Sequence, residues 1–385
     1  MLSRLSEIRR LLQIDIKGNN AFFLWGPRKV GKTTFLHQHF PDAKYYDLLQ
    51  TELKTSLLLK PSLLREEVLA GKEELVVIDE IQKVPALLDE VHWMLENTKT
   101  KFILCGSSAR KLKRGAANLL GGRAWRYEMF PLTTKELKEI DLLRALNHGL
   151  LPRHYLEPKP EKSLKSYVLN YISEEIQTEA LTRNIPAFAR FLDAVALTHG
   201  QLINYANIGR DCGASPKTVR EYYQILEDTL LGHTLEPWRR SKNRRLIETA
   251  KFYLFDVGIV RALSGMPIIQ QRTVEFGLAF EHFLIEEVRA YLGYTEKDLP
   301  LAFWRTSTKL EVDLIVGDLD LAVEFKAVPM ADSRHTQGLR ALMEDQNVKK
   351  ALLVTLDERP RKLENGISIL PWKMFCELLW SGECL

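Results

Sequence analysis

The sequence predicts an α/β protein that begins with a parallel sheet around a phosphate-binding loop and continues through a helical module into a second α/β domain. Two segments lead to the first part of this prediction. The apolar run at residues 21–25 passes directly into G-x-x-x-x-G-K-T at residues 26–33, and a helix-compatible segment follows. A second apolar run, at residues 75–78, ends in two adjacent carboxylates. Both patterns are typical of nucleotide sites at the carboxyl edge of a parallel sheet.

The glycine-rich loop offers the groups that a phosphate requires. Its glycines let successive backbone N–H groups and the helix N-terminus point at one anion. We expect Lys32 to reach the β- and γ-phosphates of ATP and Thr33 to offer its hydroxyl to Mg²⁺. The predicted nucleotide-binding residues are Gly26, Pro27, Arg28, Lys29, Val30, Gly31, Lys32, Thr33 and Thr34. The alternative, a glycine turn with an incidental lysine, is much weaker because a second motif follows downstream.

The second motif predicts the hydrolytic groups. Asp79 is suited to hold Mg²⁺ through water, and Glu80 to orient and deprotonate the attacking water. A further strand, at residues 101–105, runs into Ser107 and Ser108, where a polar side chain can contact both the γ-phosphate and that water. Taken alone, the two acids could equally be a solvated turn after a strand.

Composition and charge indicate which classes of protein and which partners are compatible with this chain. The chain has 385 residues, 45% of them apolar, and a net charge of +4, which permits a nucleic-acid partner without requiring one. No segment approaches the roughly twenty apolar residues of a membrane span, and the N-terminus lacks the apolar core of a signal peptide. The four cysteines show no C-x-x-C spacing. We therefore expect a cytoplasmic protein with no membrane partner.

The order of five short segments makes a family resemblance specific. GPRKVGKTT, VVIDEIQKVP, ILCGSS, GGRA and FPLT occur in this order, and the set resembles AAA-type ATPases that carry a C-terminal domain of unknown function. The resemblance implies that Ser107 or Ser108 is a sensor and that Arg123 is an arginine finger. A finger commonly acts in trans, so the resemblance also implies a homo-oligomer. The alternative for Arg123 is an ordinary surface arginine beside a glycine turn.

The middle of the chain predicts a helical, winged-helix-like module. The segment at 147–162 is rich in proline, histidine and charge and marks a boundary, so the predicted domains are 1–146, 147–270 and 271–385. Helix-compatible segments flank Gly213 and Ser215, as in a helix-turn-helix. The basic run at 239–245 could contact DNA phosphates. Packing or oligomerisation is an equally supported role, because the second helix also carries acids.

The last third predicts an α/β domain with a polar site. An amphipathic helix at 276–292 precedes three strand-like runs, and side-chain alternation along the strands brings Asp313, Glu324 and Lys326 together. Two carboxylates can hold Mg²⁺, and a lysine beside them can position a hydroxide. This D…E-x-K arrangement resembles the PD-(D/E)XK nuclease fold, which implies metal ligands at Glu281, Asp313 and Glu324 and a catalytic Lys326. The alternative is an amphipathic hairpin whose charges face water.

Two hypotheses of function follow. In the first, an oligomeric ATPase acts on DNA that its C-terminal domains bind, with possible metal-dependent nuclease activity. In the second, the protein is a nucleotide-dependent regulatory switch or protein-interaction scaffold that has no nuclease activity. Stimulation of ATP turnover by DNA distinguishes them, because only the first predicts it.

Overall fold

The computed structural model describes residues 8–18, 20–107, 124–168, 184–240 and 244–385. The chain forms two compact units: unit 1 comprises Met1–Pro131 with Asp228–Leu231, and unit 2 comprises Leu132–Glu227 with Gly232–Leu385. Two of the predicted site residues, Ser108 and Arg123, lie outside the described residues.

Unit 1 is built on a five-stranded sheet in which every neighbouring pair is parallel. Its strand order is β2-β3-β4-β1-β5. The strands are β1 (Ala21–Trp25), β2 (Lys44–Asp47), β3 (Leu75–Asp79), β4 (Lys101–Gly106) and β5 (Ala124–Glu128). In register, Trp25 lies beside Gly106, and Asp79 lies beside Cys105. The residues that follow β1, β3 and β4 therefore meet at one carboxyl edge.

Helices surround this sheet, and β1 is buried along its whole length. This burial explains why β1 reads as an unbroken apolar run instead of an alternating one. Pro61 separates two helices, as its position in the sequence predicts, because proline cannot continue a helix without losing a hydrogen bond. The helices are α1 (Lys32–His39), α2 (Thr51–Leu59), α3 (Ser62–Gly71) and α4 (Leu87–Asn97).

Unit 2 contains an eight-stranded mixed sheet with the order β12-β13-β11-β10-β9-β8-β6-β7. Strands β8, β9 and β10 are antiparallel neighbours, whereas β10 and β11 are parallel. The strands are β6 (Gly232–Pro237), β7 (Lys251–Leu254), β8 (Leu301–Arg305), β9 (Glu311–Val316), β10 (Leu321–Lys326), β11 (Ala351–Thr355), β12 (Arg361–Lys362) and β13 (Ser368–Pro371). Because β6 pairs with β8, the predicted boundary at residue 270 does not separate two sheets.

Within the described ranges, some helices of unit 2 precede the strands of the sheet in the chain, and others lie between or after them. They are α5 (Leu142–His148), α6 (Pro152–Leu156), α7 (Glu161–Ser166), α8 (Ile185–Leu197), α9 (Tyr205–Cys212), α10 (Pro216–Asp228), α11 (Val257–Ser264), α12 (Val274–Tyr294), α13 (Gln337–Asp345) and α14 (Trp372–Ser381). Across the described ranges, none of the helices combines the length and apolar composition needed to cross a bilayer.

The predicted pair of helices around Gly213 is present as α9 and α10. Gly213 ends α9 in the left-handed conformation, at φ 71°, and the Ser215 hydroxyl accepts a hydrogen bond from the Thr218 N–H at 3.1 Å. The following strands, β6 and β7, pair with each other, and β6 also pairs with β8. The strands expected to form a wing thus belong to the large sheet, and the winged form of the motif stays a prediction.

Candidate functional sites

The phosphate loop of unit 1 takes a conformation that few residue types tolerate. A Cβ added at Gly26 would lie 2.5 Å from the Met129 carbonyl oxygen, so a larger residue would displace backbone. Lys29 and Gly31 adopt positive φ angles of 61° and 105°. The turn this produces delivers the chain into α1 with its first N–H groups at the carboxyl edge of the sheet.

An arginine that the sequence did not single out supports this loop. The Arg10 guanidinium is buried and donates to the Val30 carbonyl oxygen and to the Phe130 carbonyl oxygen, both at 2.6 Å. Its two hydrogen bonds tie the loop to the chain just beyond β5. Because Arg10 lies far from the loop in sequence, no local pattern could identify it.

The predicted phosphate and metal groups come together at this edge. The Lys32 ammonium is buried and donates to the carbonyl oxygens of Gly26 and Pro27, at 2.7 Å and 2.9 Å. The Thr33 hydroxyl donates to an Asp79 carboxylate oxygen at 2.7 Å. A hydroxyl and a carboxylate oxygen are hard donors of the kind Mg²⁺ prefers, so these two residues fit the predicted Mg²⁺ site.

The proposed hydrolytic side of the site contains a second residue that the sequence did not single out. Glu80 follows β3 with a positive φ of 60°, and its carboxylate accepts a hydrogen bond from the Gln82 side-chain amide. The same amide nitrogen lies 3.3 Å from the Ser107 hydroxyl, which is fully buried. Gln82 therefore links the predicted base to the predicted sensor. In the sequence, only its position two residues after Glu80 could have indicated that Gln82 belongs to the site.

Unit 2 contains a separate pocket of about 740 Å³ on its mixed sheet. The charged residues that line it are Lys251, Glu281, Arg305, Lys309, Glu311, Asp313, Glu324, Lys326 and Arg334. They come from α12, β7 to β10 and the segment before α13. A Cβ on Gly338, at the start of α13, would lie only 1.7 Å from the Glu311 carbonyl oxygen. Glycine at this position therefore allows α13 to pack directly against β9.

The strand alternation brings the three predicted residues of the hairpin together, as expected. The Lys326 ammonium lies 2.7 Å from a Glu324 oxygen and 3.5 Å from an Asp313 oxygen. The same Asp313 oxygen accepts a hydrogen bond from the Phe325 N–H at 2.8 Å. Both carboxylates are buried, and the second Glu324 oxygen has no hydrogen-bond partner among the described residues.

Glu281 faces the same pocket but is bound by residues of β7. The Tyr253 hydroxyl donates to Glu281 at 2.7 Å, and the Lys251 ammonium lies 3.5 Å from the same oxygen. Lys251 also contacts a Glu311 oxygen at 2.5 Å, and Arg305 contacts the other at 2.9 Å. Lys251 was not predicted, because it lies in the middle of the chain, far in sequence from its partners.

Burial and charge act in opposite directions on these groups. Burial alone would lower the pKa of Lys251, but Glu281, Glu311 and Asp313 outweigh it, and the pKa is raised. Burial raises the pKa of Glu281, and the charge of Asp313 adds to this effect. Burial likewise raises the pKa of Glu324. The lysines thus stay charged, but their charge does not offset burial at Glu281 and Glu324, so the pKa of each of these carboxyl groups stays above its ordinary value.

The three predicted metal ligands do not form one coordination set. Among the residues that the structure describes, no group of three or more histidine, cysteine, aspartate or glutamate side chains is arranged to hold a metal ion. The physical reason is that Lys251 binds Glu281, whereas Lys326 binds Asp313 and Glu324. The carboxylates of this pocket are therefore neutralised by internal ammonium groups.

Residues 18–138 match the AAA domain. This range contains the parallel sheet and the phosphate loop of unit 1, so unit 1 is similar to P-loop domains of the AAA type. Two further matches cover unit 2: residues 139–268 match a domain of unknown function, DUF8612, and residues 276–375 match another, DUF4143. Neither description names an activity.

Two curated relatives match the greater part of the chain, and a third matches less than half of it. An uncharacterized protein of Mycobacterium tuberculosis and one of Mycobacterium bovis are each 24% identical over 358 residues, which is 90% of this chain and 79% of the relative. An uncharacterized protein of Methanocaldococcus jannaschii is 28% identical over 176 residues, covering 44% of this chain and 37% of the relative.

Solved structures show a weaker likeness. The Orc1 protein of Aeropyrum pernix in complex with DNA has a TM-score of 0.30 and 14% identity, covering 69% of this chain and 92% of that chain. Cdc6p from Pyrobaculum aerophilum has a TM-score of 0.27 and 11% identity, covering 69% of this chain and 88% of that chain. TM-scores of this size do not define a shared fold.

Proposed function

We propose that this protein is a Mg²⁺-dependent ATPase that acts on DNA, with unit 2 as the DNA-binding part. The observation that carries the ATPase assignment is the hydrogen bond of 2.7 Å between Thr33 and Asp79 beside the phosphate loop. It joins the two motifs that the sequence places more than forty residues apart. A loop that binds phosphate and a carboxylate at the neighbouring strand end are the minimum that ATP hydrolysis requires.

Each residue of this site has a distinct role in the proposal. Lys32 donates hydrogen bonds to the terminal phosphates, exchanging them for those it makes to the loop carbonyl groups. Thr33 and Asp79 hold Mg²⁺, which when bound offsets the negative charge on the phosphates. Glu80 accepts a proton from the attacking water, and Ser107 orients that water. The loop N–H groups need no reorganisation during the reaction, since the backbone already faces the site.

An oligomer is also part of the proposal. The support is the Leu-Gly-Gly-Arg segment that ends at Arg123, which resembles the finger segment of AAA-type ATPases. A guanidinium supplied by a neighbouring copy would stabilise the charge that develops on the transferred phosphoryl group. Complementation between two inactive variants tests this part and is described below.

For DNA, the pocket of unit 2 is better supported than the basic run at 239–245. Of that run, Arg239 pairs with Glu236, Arg240 with Asp318 and Arg244 with Glu344. These arginines already have carboxylate partners, which reduces the positive charge they offer to DNA phosphates. The lining of the pocket contains an exposed lysine, Lys309, that makes no ion pair within the described ranges.

The experiment is the ATPase rate of the purified protein with and without single-stranded, duplex and branched DNA. We expect at least one form of DNA to raise turnover, and Lys32→Ala to abolish it in every condition. A rate that no DNA changes would refute the action on DNA and favour the regulatory switch or scaffold. Substitutions in unit 2 alone should leave the ATPase rate measured without DNA unchanged.

A further inference from the structure

The pocket of unit 2 contains a buried ammonium group between two carboxylates. The Lys251 side chain is only 4% exposed and lies between Glu281 and Glu311, 3.5 Å and 2.5 Å from their oxygens. It reaches this position from β7, at the edge of the sheet, whereas its partners are on α12 and β9. Burying a lysine in this way is costly unless carboxylates pair with it. Glu281 and Glu311 both pair with Lys251.

Cations already engage the carboxylates of the pocket. Every carboxylate is already bonded to a cation within the pocket: Glu311 to Lys251 and Arg305, Glu281 to Lys251, and the pair Asp313 and Glu324 to Lys326. Among the lining residues, five side chains are formally cationic and four are carboxylates, but Arg334 pairs with Asp332 just outside the lining. Lys309 is therefore the lining cation that has no carboxylate partner within the described ranges. A divalent cation between Glu281 and Glu311 would have to displace the buried Lys251, which is strongly unfavourable, and one beside Asp313 and Glu324 would compete with the half-buried Lys326. An anion would meet no such barrier.

A lysine with no such partner stands in the lining of the pocket. Lys309 is exposed and makes no ion pair with any residue in the described ranges. It lies in the tight turn between β8 and β9 at φ 69°, where its N–H donates to the Thr306 carbonyl oxygen at 3.0 Å. The Leu310 N–H donates to the Thr306 hydroxyl at 3.1 Å.

We propose that this pocket binds a phosphate group of a nucleic-acid backbone without a divalent metal ion, through Lys309 and Arg305, with Lys251 as the internal cation that holds Glu281 and Glu311 in place. The proposal rests on the proposed action on DNA and names the site. Arg305 keeps guanidinium N–H groups beyond the one bonded to Glu311, and these can donate to a phosphate oxygen. The volume of about 740 Å³ is several times that of a phosphate ion and accommodates a sugar and base as well.

Fluorescence anisotropy with a short fluorescein-labelled single-stranded oligonucleotide tests the proposal on the full-length protein. The measurement uses a Lys32→Ala background, no nucleotide and excess EDTA, over a series of salt concentrations. We expect binding without metal. Lys309→Ala should weaken it about tenfold and reduce the salt slope by about one. The matched control is Lys362→Ala, an exposed lysine of β12 at the opposite edge of the sheet, which should bind as the background does.

Lys251→Met should also reduce binding by about tenfold or more, because Glu281 and Glu311 would then repel the phosphate. Since that variant leaves buried carboxylates unpaired, it is expected to lose stability. The double variant Lys251→Met/Glu311→Gln removes one charge of each sign, and circular dichroism identifies which variants remain folded. If the folded single or double variant binds the oligonucleotide as tightly as the Lys32→Ala protein does, the role of Lys251 is refuted.

Three outcomes would overturn the proposal: binding that requires Mg²⁺ or Mn²⁺, cleavage of the oligonucleotide when either ion is added, or unchanged affinity in Lys309→Ala. Inorganic phosphate that displaces the oligonucleotide at comparable concentration would assign the site to free phosphate and refute the nucleic-acid part. The two proposals fail separately. An oligonucleotide that binds here without raising ATP turnover refutes only the action on DNA. Stimulated turnover with unchanged binding by Lys309→Ala refutes only this site.

Discussion

Removing the Gln82 amide should slow ATP hydrolysis without weakening nucleotide binding. The amide nitrogen donates to Glu80 and lies 3.3 Å from the Ser107 hydroxyl. The amide oxygen of Gln82 is buried and has no partner within the described part of the chain, so the side chain is held through its N–H group. A hydrogen bond to a charged group contributes about 1.5–3 kcal/mol. If most of this serves to orient the base, Gln82→Ala should lower kcat about 10- to 100-fold.

The assay is steady-state ATP turnover combined with direct measurement of nucleotide affinity. Affinity should stay near the parental value, because the contacts of Gln82 are with Glu80 and Ser107 and not with the loop. Gln50→Ala, an exposed glutamine before α2, is the matched control and should leave kcat unchanged. A cavity effect on folding would instead lower both affinity and thermal stability.

A double-mutant cycle makes the argument refutable. In the background of Glu80→Gln, where the base is already absent, Gln82→Ala should cause little further loss, since its effect acts through Glu80. Full parental turnover in Gln82→Ala, alongside an inactive Glu80→Gln, would show that Gln82 does not position the base. Equal further loss in both backgrounds would assign Gln82 a role independent of Glu80.

Three other predictions concern the two units. Lys32→Ala should abolish turnover and weaken nucleotide binding, whereas Glu80→Gln should bind nucleotide without hydrolysing it; turnover and equilibrium binding together check this division. Arg123→Ala should keep nucleotide affinity and lose turnover, and mixing it with Lys32→Ala should restore part of the activity; confirmed mixed oligomers without any restored activity would contradict a finger in trans. Burial raises the pKa of Glu287 to about 7, so the ionised form costs stability in the folded state. Because the folded pKa lies above the unfolded one, this cost is present above about pH 7 and disappears below the unfolded value near pH 4.5. Relative to Glu287→Gln, the free energy of unfolding of the parent in urea should therefore rise by roughly 2.5 kcal/mol between about pH 8 and about pH 5, and a constant difference would contradict the shift.

Much of this protein follows from local sequence alone. The phosphate loop could be predicted residue by residue, because all of its groups lie in one short segment whose glycines allow only a few backbone paths. The cluster of Asp313, Glu324 and Lys326 could also be predicted, because alternation along a strand decides which side chains share a face. In both cases the interacting residues are close in the chain or lie on adjacent strands of one hairpin.

The pairings between distant segments were decided only by the tertiary structure. Arg10 reaches the phosphate loop, and Lys251 enters a carboxylate pocket from a strand that the sequence assigned to another domain. The family resemblance grouped Glu281 with Asp313, and both line one pocket, but the ammonium group beside Glu281 was not predicted. A carboxylate pattern is the same whether a metal ion or a lysine neutralises it. Which cation is present depends on how β7 joins the sheet, and that pairing is set by the packing of the whole unit instead of by any local pattern.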